Sequence, residues 1–202
     1  MGVTTFPAVS VIRAVQEQVF NASGTFTVPT GITRLEVLTV GGGGSGNNVS
    51  GGAQGGSGGQ VYSDLLTNLT PGASITVTIG AGGSSVSSGT YSGNAGSDTS
   101  FGSYRTASGG SAGSQNGSTT NGGNGASSGG NMIAVSYGGG GTGGAAAFYF
   151  GRWVGGGASS TTPYNNGTPT ATMWSAGATN RGHGGSIGSS GGSGTVIVRW
   201  VA

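Results

Sequence analysis

The sequence predicts a mainly β fold. A β-sandwich-like base is formed by the terminal strands, and glycine-rich segments and long distal loops lie between them. Three observations carry this expectation. Alternating apolar runs cluster near both ends of the chain, and 50 of its 202 residues are glycine. The glycine also recurs in blocks, at 41–59, 80–83, 109–130, 138–144, 155–157 and 182–194, several of which abut a strand-like run. A flexible Gly/Ser coil is the competing reading. Ordering costs roughly 1–2 kcal/mol of backbone entropy per residue, and most for glycine. The apolar runs at both ends favour an ordered framework.

The strand-like runs follow in chain order. Residues 18–21, 24–28 and 33–40 are short runs separated by Ala22–Ser23 and by a Pro29-Thr30-Gly31 turn. Leu35 and Val37 alternate with Arg34 and Glu36, the period-2 spacing of a half-buried strand. Residues 60–66 and 74–79 come next, joined through Pro71-Gly72, with Ile75, Val77 and Ile79 on one face. Residues 99–101 and 104–106 around Gly102-Ser103 read as a tight hairpin. The closing run 195–201 sets Val196, Val198 and Trp200 on one side. The expected organisation is an N-terminal docking segment, 1–17, and a glycine-rich β domain, 18–202. That domain divides into a strand-rich part (18–107), a glycine-rich part with aromatic inserts (108–194) and the closing strand (195–201).

Strand signals almost vanish between 109 and 194. Polyproline-II geometry has three residues per turn and no internal hydrogen bonds, so its backbone groups point outward. Glycine lets such segments approach one another, and stacked polyglycine-II segments could satisfy each other's N–H and C=O groups. A loop-rich β-sandwich fits the same composition. Collagen does not fit, because strict Gly-X-Y spacing is missing and only 5 residues are proline.

Three inserts, 131–137, 145–154 and 158–176, hold most of the large side chains of the second half. A thin glycine slab cannot take them inside, so they are expected at its ends as loops, where binding commonly resides. Tyr, Trp and Arg are enriched at binding hot spots. The candidate receptor-binding residues are therefore Tyr137, Phe148, Tyr149, Phe150, Arg152, Trp153, Tyr164, Met173 and Trp174. Packing against the slab or a partner subunit is the alternative role for the phenylalanines.

The run FNASGTFTVP at 20–29, then GITRLEV at 31–37 and the glycines at 41–44, resembles the opening of the glycine-rich domain of bacteriophage tail-fibre proteins. The stretches GSDTSFG at 96–102 and GGSGTVIVRW at 191–200 resemble its middle and closing signatures. The glycine-rich tip adhesins of phage long tail fibres are similar in design. The resemblance implies a virion protein on a tail fibre or other surface appendage, with a glycine lattice and loops that contact a host cell-surface glycan or outer-membrane protein. It also implies attachment to other virion proteins, expected here through the N-terminal segment, and a possible homo-oligomer such as a trimer. Two alternatives stand beside this reading. One is a structural virion protein for head decoration or fibre assembly. The other, more remote, is an ice-binding protein, for which the bulky inserts are unsuited.

Other chemistries find little support. The net charge of +2 comes from six scattered arginines against Glu17, Glu36, Asp64 and Asp98, so no basic cluster suits nucleic acid. No stretch reaches the length of a membrane span, and the start lacks the pattern of an export signal. Synthesis in the host cytoplasm without a signal peptide is expected. One histidine, His183, no cysteine and four dispersed acids offer neither a catalytic relay nor a metal cluster. No enzyme activity and no cofactor are expected. His183 itself is expected to be solvent-exposed or backbone-bonded.

Overall fold

In a computed structural model, residues 14–49, 55–113, 147–149, 152–155, 181–186 and 188–202 are described. They form ten strands: β1 (Val15–Phe20), β2 (Gly24–Thr27), β3 (Leu35–Val40), β4 (Val61–Leu66), β5 (Ser74–Thr78), β6 (Thr99–Phe101), β7 (Arg105–Ala107), β8 (Ala147–Tyr149), β9 (Arg152–Val154) and β10 (Thr195–Val201). No α-helix occurs among the described residues. The fold is all-β, as the alternation predicts. β1 begins at Val15, three residues inside the expected docking segment.

Two four-stranded antiparallel sheets are ordered β1-β10-β3-β4 and β2-β5-β6-β7. The closing strand inserts between β1 and β3, pairing Val198 with both Gln18 and Val37. One apolar core takes side chains from both sheets: Phe20, Leu35, Val37, Val196 and Val198 from the first, Phe26, Ile75, Val77 and Phe101 from the second. Phe26 sits at its centre, its ring 5.8 Å from those of both Phe101 and Trp200. The opposite face of the first sheet carries a smaller cluster of Leu38, Val40, Val61 and Ile197, closed by Val154. β6 and β7 make the predicted hairpin, and Gly102 takes the positive φ of 52° that its turn requires.

Six strand ends run straight into glycine segments, and five of these segments, together with 181–186, pack around the sixth. Residues 41–46 continue β3. Their N–H groups donate in rotation to three neighbours: Gly41 to Gln60 (2.9 Å), Gly42 to Ser97 (3.0 Å) and Gly43 to Gly192 (2.8 Å). The rotation then repeats with Gly44 to Ser57 (2.8 Å), Ser45 to Asn94 (2.8 Å) and Gly46 to Ser189 (3.3 Å). Their carbonyls accept from three other segments: Gly42 from Gly110, Gly43 from Gly83, Gly44 from Gly185, and Ser45 from Gly113. The pattern repeats every three residues, the number per turn of a polyproline-II-type helix.

The six neighbours also bond to each other in a closed ring. Gly56 donates to Gly185, Gly192 to His183, Gly191 to Gly83, Ser97 to Ala81, Gly96 to Gly110 and Ser57 to Ser111. The first four positions of the central segment have no room for a side chain. A Cβ on Gly41, Gly42, Gly43 or Gly44 would overlap the backbone carbonyl of Ser108, Ala81, His183 or Ser111 respectively. The sequence needs glycine here because backbone meets backbone directly. Gly42, Gly43 and Gly44 each gain a pair of buried main-chain hydrogen bonds, each worth roughly 1 kcal/mol net.

Candidate binding surface

The end of the second insert and the two flanks of the third are anchored to the framework. β8 and β9 form a separate two-stranded ribbon that pairs Ala147 with Val154, Phe148 with Trp153 and Tyr149 with Arg152. Val154 is fully buried among Leu38, Val40, Val61 and Ile197, which seats the end of the ribbon on the outer face of the first sheet. The next residue, Gly155, has φ 72°, and a Cβ there would press on the Val61 side chain. Its N–H donates to the Arg181 carbonyl at 2.8 Å. Gly182 then accepts from Gly59 and donates to Ser193, both at 2.8 Å. The two ends of stretch 156–180 are therefore tied to each other and to the glycine framework.

Four of the nine residues expected to bind a receptor, Phe148, Tyr149, Arg152 and Trp153, fall on this ribbon as two register pairs. Tyr137, Phe150, Tyr164, Met173 and Trp174 lie outside the described residues. Of these, Tyr164, Met173 and Trp174 belong to the stretch that starts and ends at the Gly155–Arg181 clasp. Arg181, at that clasp, is exposed.

Several titratable groups among the described residues are engaged away from the ribbon. Asp64 on β4 is buried and bound by Arg105 on β7, with Nε to Oδ2 at 2.7 Å and Nη2 to Oδ1 at 2.6 Å. The Arg105 guanidinium also lies 4.4 Å from the centre of the Tyr62 ring. The hydrogen bonds to Asp64 raise the Arg105 pKa above its ordinary value, against the opposing effect of burial, and the Asp64 and Tyr62 charges add to the rise. Asp98 accepts a hydrogen bond from the Gly109 N–H at 2.9 Å. Glu17 pairs with Arg199 at 2.6 Å. His183 is not solvent-exposed, one of the two placements expected from its glycine-rich context; it is 1% exposed within the ring of glycine segments. Among the described residues no three His, Cys, Asp or Glu side chains come together as a metal site.

Sequence reading missed the Asp64–Arg105 clasp. Its partners are 41 residues apart, and neither strand carries a local sign of the other. The sequence also gave no sign of the groove of about 470 Å³ at the end of the first sheet away from the glycine segments, lined by Val15, Ile32, Arg34, Leu35, Trp200 and Val201.

A family model described as a glycine-rich domain matches residues 20–201. The chain belongs to this glycine-rich domain family. The match begins at the last residue of β1 and ends at the last residue of β10. The glycine-rich domain thus takes in β2 to β10, the last residue of β1, all the glycine segments and the inserts. A search of curated proteins found no match.

Proposed function

We propose that this glycine-rich domain is a non-enzymatic receptor-binding module of the bacteriophage tail-fibre type, displayed on the virion. Its loops would recognise a host cell-surface glycan or outer-membrane protein. On this reading the two sheets are a sandwich-like base, the glycine segments are stacked polyglycine-II helices, and the inserts are the contact surface. One observation carries the proposal: the Gly155–Arg181 clasp fixes both ends of an aromatic-bearing insert to a framework built from backbone. A loop fixed at its base loses less entropy on binding, which favours affinity. Aromatic rings stack on sugar faces, and a guanidinium suits acidic sugars or carboxylates.

The test is binding of the labelled protein to intact candidate host cells, before and after removal of surface polysaccharide. Saturable binding that the Trp153→Ala/Trp174→Ala double variant loses, with an unchanged unfolding temperature, supports the assignment. Loss of binding after stripping identifies a glycan; retention identifies a protein receptor. A double variant that binds like the wild type overturns the residue assignment. Attachment to virions lacking the protein, with no binding to any cell, would make it a structural virion component instead.

A further inference from the structure

We propose that the end of the glycine segments away from the sheets carries a binding site for a neutral, hydroxyl-rich glycan, with Tyr91 as its anchor. The proposal deepens the receptor-binding reading above and rests on it. The central segment leaves β3 at Val40 and reaches Asn47 about 20 Å further on, at the rise of a polyproline-II helix. Three stretches of chain meet there. The Gly188 N–H donates to the Asn47 carbonyl at 2.9 Å. Asn48 pairs with Thr90, which belongs to the connection between β5 and β6.

This connection is held by its backbone. The Gly89 N–H donates to the Asn48 carbonyl at 2.7 Å, and the Asn48 N–H to the Thr90 carbonyl at 3.0 Å. The side-chain amides of Asn48 and Asn47 donate to the Val86 and Tyr91 carbonyls, both at 3.3 Å. The Ser85 N–H donates to Ser190 Oγ at 3.0 Å. Gly89 supplies the φ of 85° at the turn. Asn47, which grips the Tyr91 carbonyl, is fully buried, whereas Tyr91 itself is 64% exposed. Tyr104, at 47%, at least leans on Phe101, with ring centres 6.3 Å apart. The fold thus fixes the backbone of Tyr91 and leaves most of the residue to water. An aromatic ring on a preordered loop loses little entropy when it binds.

Charge selects the ligand class. No Asp, Glu, Lys or Arg occurs in 37–63, 65–97 or 106–151, and 182–198 adds only His183, which is buried. The three stretches that meet at Asn47 and Asn48 all lie within these ranges. The nearest charged residue to Tyr91 along the chain is Asp98, which accepts from the Gly109 N–H at 2.9 Å. An ionic ligand therefore gains no ion pair from these stretches. A neutral sugar gains the tyrosine ring against its C–H face, and Ser87, Ser88, Thr90 and Ser92 supply hydroxyls for its own. The site is distinct from the Gly155–Arg181 clasp, which carries an exposed arginine.

The test uses the full chain on intact candidate host cells, and then on polysaccharide released from those cells and divided by anion exchange into neutral and acidic fractions. The wild type should bind the neutral fraction with an affinity unchanged between roughly 0.05 and 0.5 M salt. Tyr91→Ala should weaken that binding at least about tenfold. Its melting temperature should match the wild type, because the residue is largely exposed. Tyr91→Phe, which keeps the ring, should bind within about threefold of the wild type. Binding of the acidic fraction alone, an affinity that falls with salt, or a Tyr91→Ala variant that binds like the wild type overturns this proposal and leaves the receptor-binding reading standing. So does binding to cells with neither fraction bound, which points to a protein receptor. Binding to no cell overturns both.

Discussion

Gly43 and His183 meet backbone to backbone: the Gly43 α-carbon faces the His183 carbonyl so closely that a methyl group on Gly43 would overlap it. Neither atom can yield alone. Gly43 is bonded to the chain at Gly192 and Gly83, and the His183 carbonyl accepts from Gly192. Gly43→Ala is expected to destabilise the protein by more than about 3 kcal/mol, at the severe end of single substitutions. Ser111→Ala, at an exposed position on a neighbouring segment, should stay within about 0.5 kcal/mol. Thermal unfolding of the two variants checks the contrast. Equal melting temperatures would mean that the segments can separate to admit a side chain.

The Asp64–Arg105 clasp joins β4 to β7, the last strands of the two sheets. Its two ends are unequal, since the Asp64 side chain is 6% exposed and that of Arg105 is 32% exposed. Arg105→Ala leaves a buried carboxylate without its cation and should cost about 3 kcal/mol. Asp64→Ala frees a half-exposed guanidinium that water can solvate, and should cost less, about 1–2 kcal/mol. Denaturant unfolding should rank them in that order, with a double variant less damaged than the sum. The raised Arg105 pKa places its contribution fully below the guanidinium's unfolded pKa, to be lost only as pH climbs through the folded value. The arginine end of the clasp should therefore give no stability change between pH 6 and pH 9, which unfolding at those two values would test.

Replacing 156–180 with a short Gly/Ser linker should leave the melting temperature within a few degrees of the wild type. The Gly155 N–H to Arg181 carbonyl bond, with Val154 beneath it, holds the ends regardless of what lies between. Loop-closure entropy changes little with such a shortening. A large fall in melting temperature would show that the insert supports the framework.

Val154→Ala should cost about 2 kcal/mol, the value of two buried methyl groups plus the space they leave. The damage should stay local, because Val154 belongs to the smaller cluster on the outer face of the first sheet and not to the core shared by the sheets. Limited proteolysis should cut near the β8–β9 ribbon earlier than in the wild type, with the core strands protected. Simultaneous loss of protection throughout the chain would contradict this.

The strands were legible because their signal is local. Leu35, Val37, Ile75, Val77, Val196 and Val198 alternate in sequence and all enter the shared core. The Gly102 hairpin was equally plain. That glycine segments would bond to one another could be argued from their composition, but which segment meets which could not. Glycine carries no side chain to mark a partner, so nothing in 41–46 announces 57–60, 94–97 or 189–192. For His183 the same context left exposure and backbone bonding both open, and the structure excludes only the exposed placement. The binding candidates were chosen as large side chains unsuited to glycine packing. Four of them share the ribbon, and the rest lie beyond the described residues.

The three-residue repeat of the central segment has a consequence for how the chain finds its place. Slide one glycine segment past its neighbours by three residues and the same rotation of donors and acceptors returns, so the packing alone does little to tell one setting from the next. The strands resolve the ambiguity. Val40 is fixed against Thr195 and Val61, and each segment that continues a strand inherits its phase from it. The sheets thus act as an index for a repeat that would otherwise slip by three residues at little energetic cost.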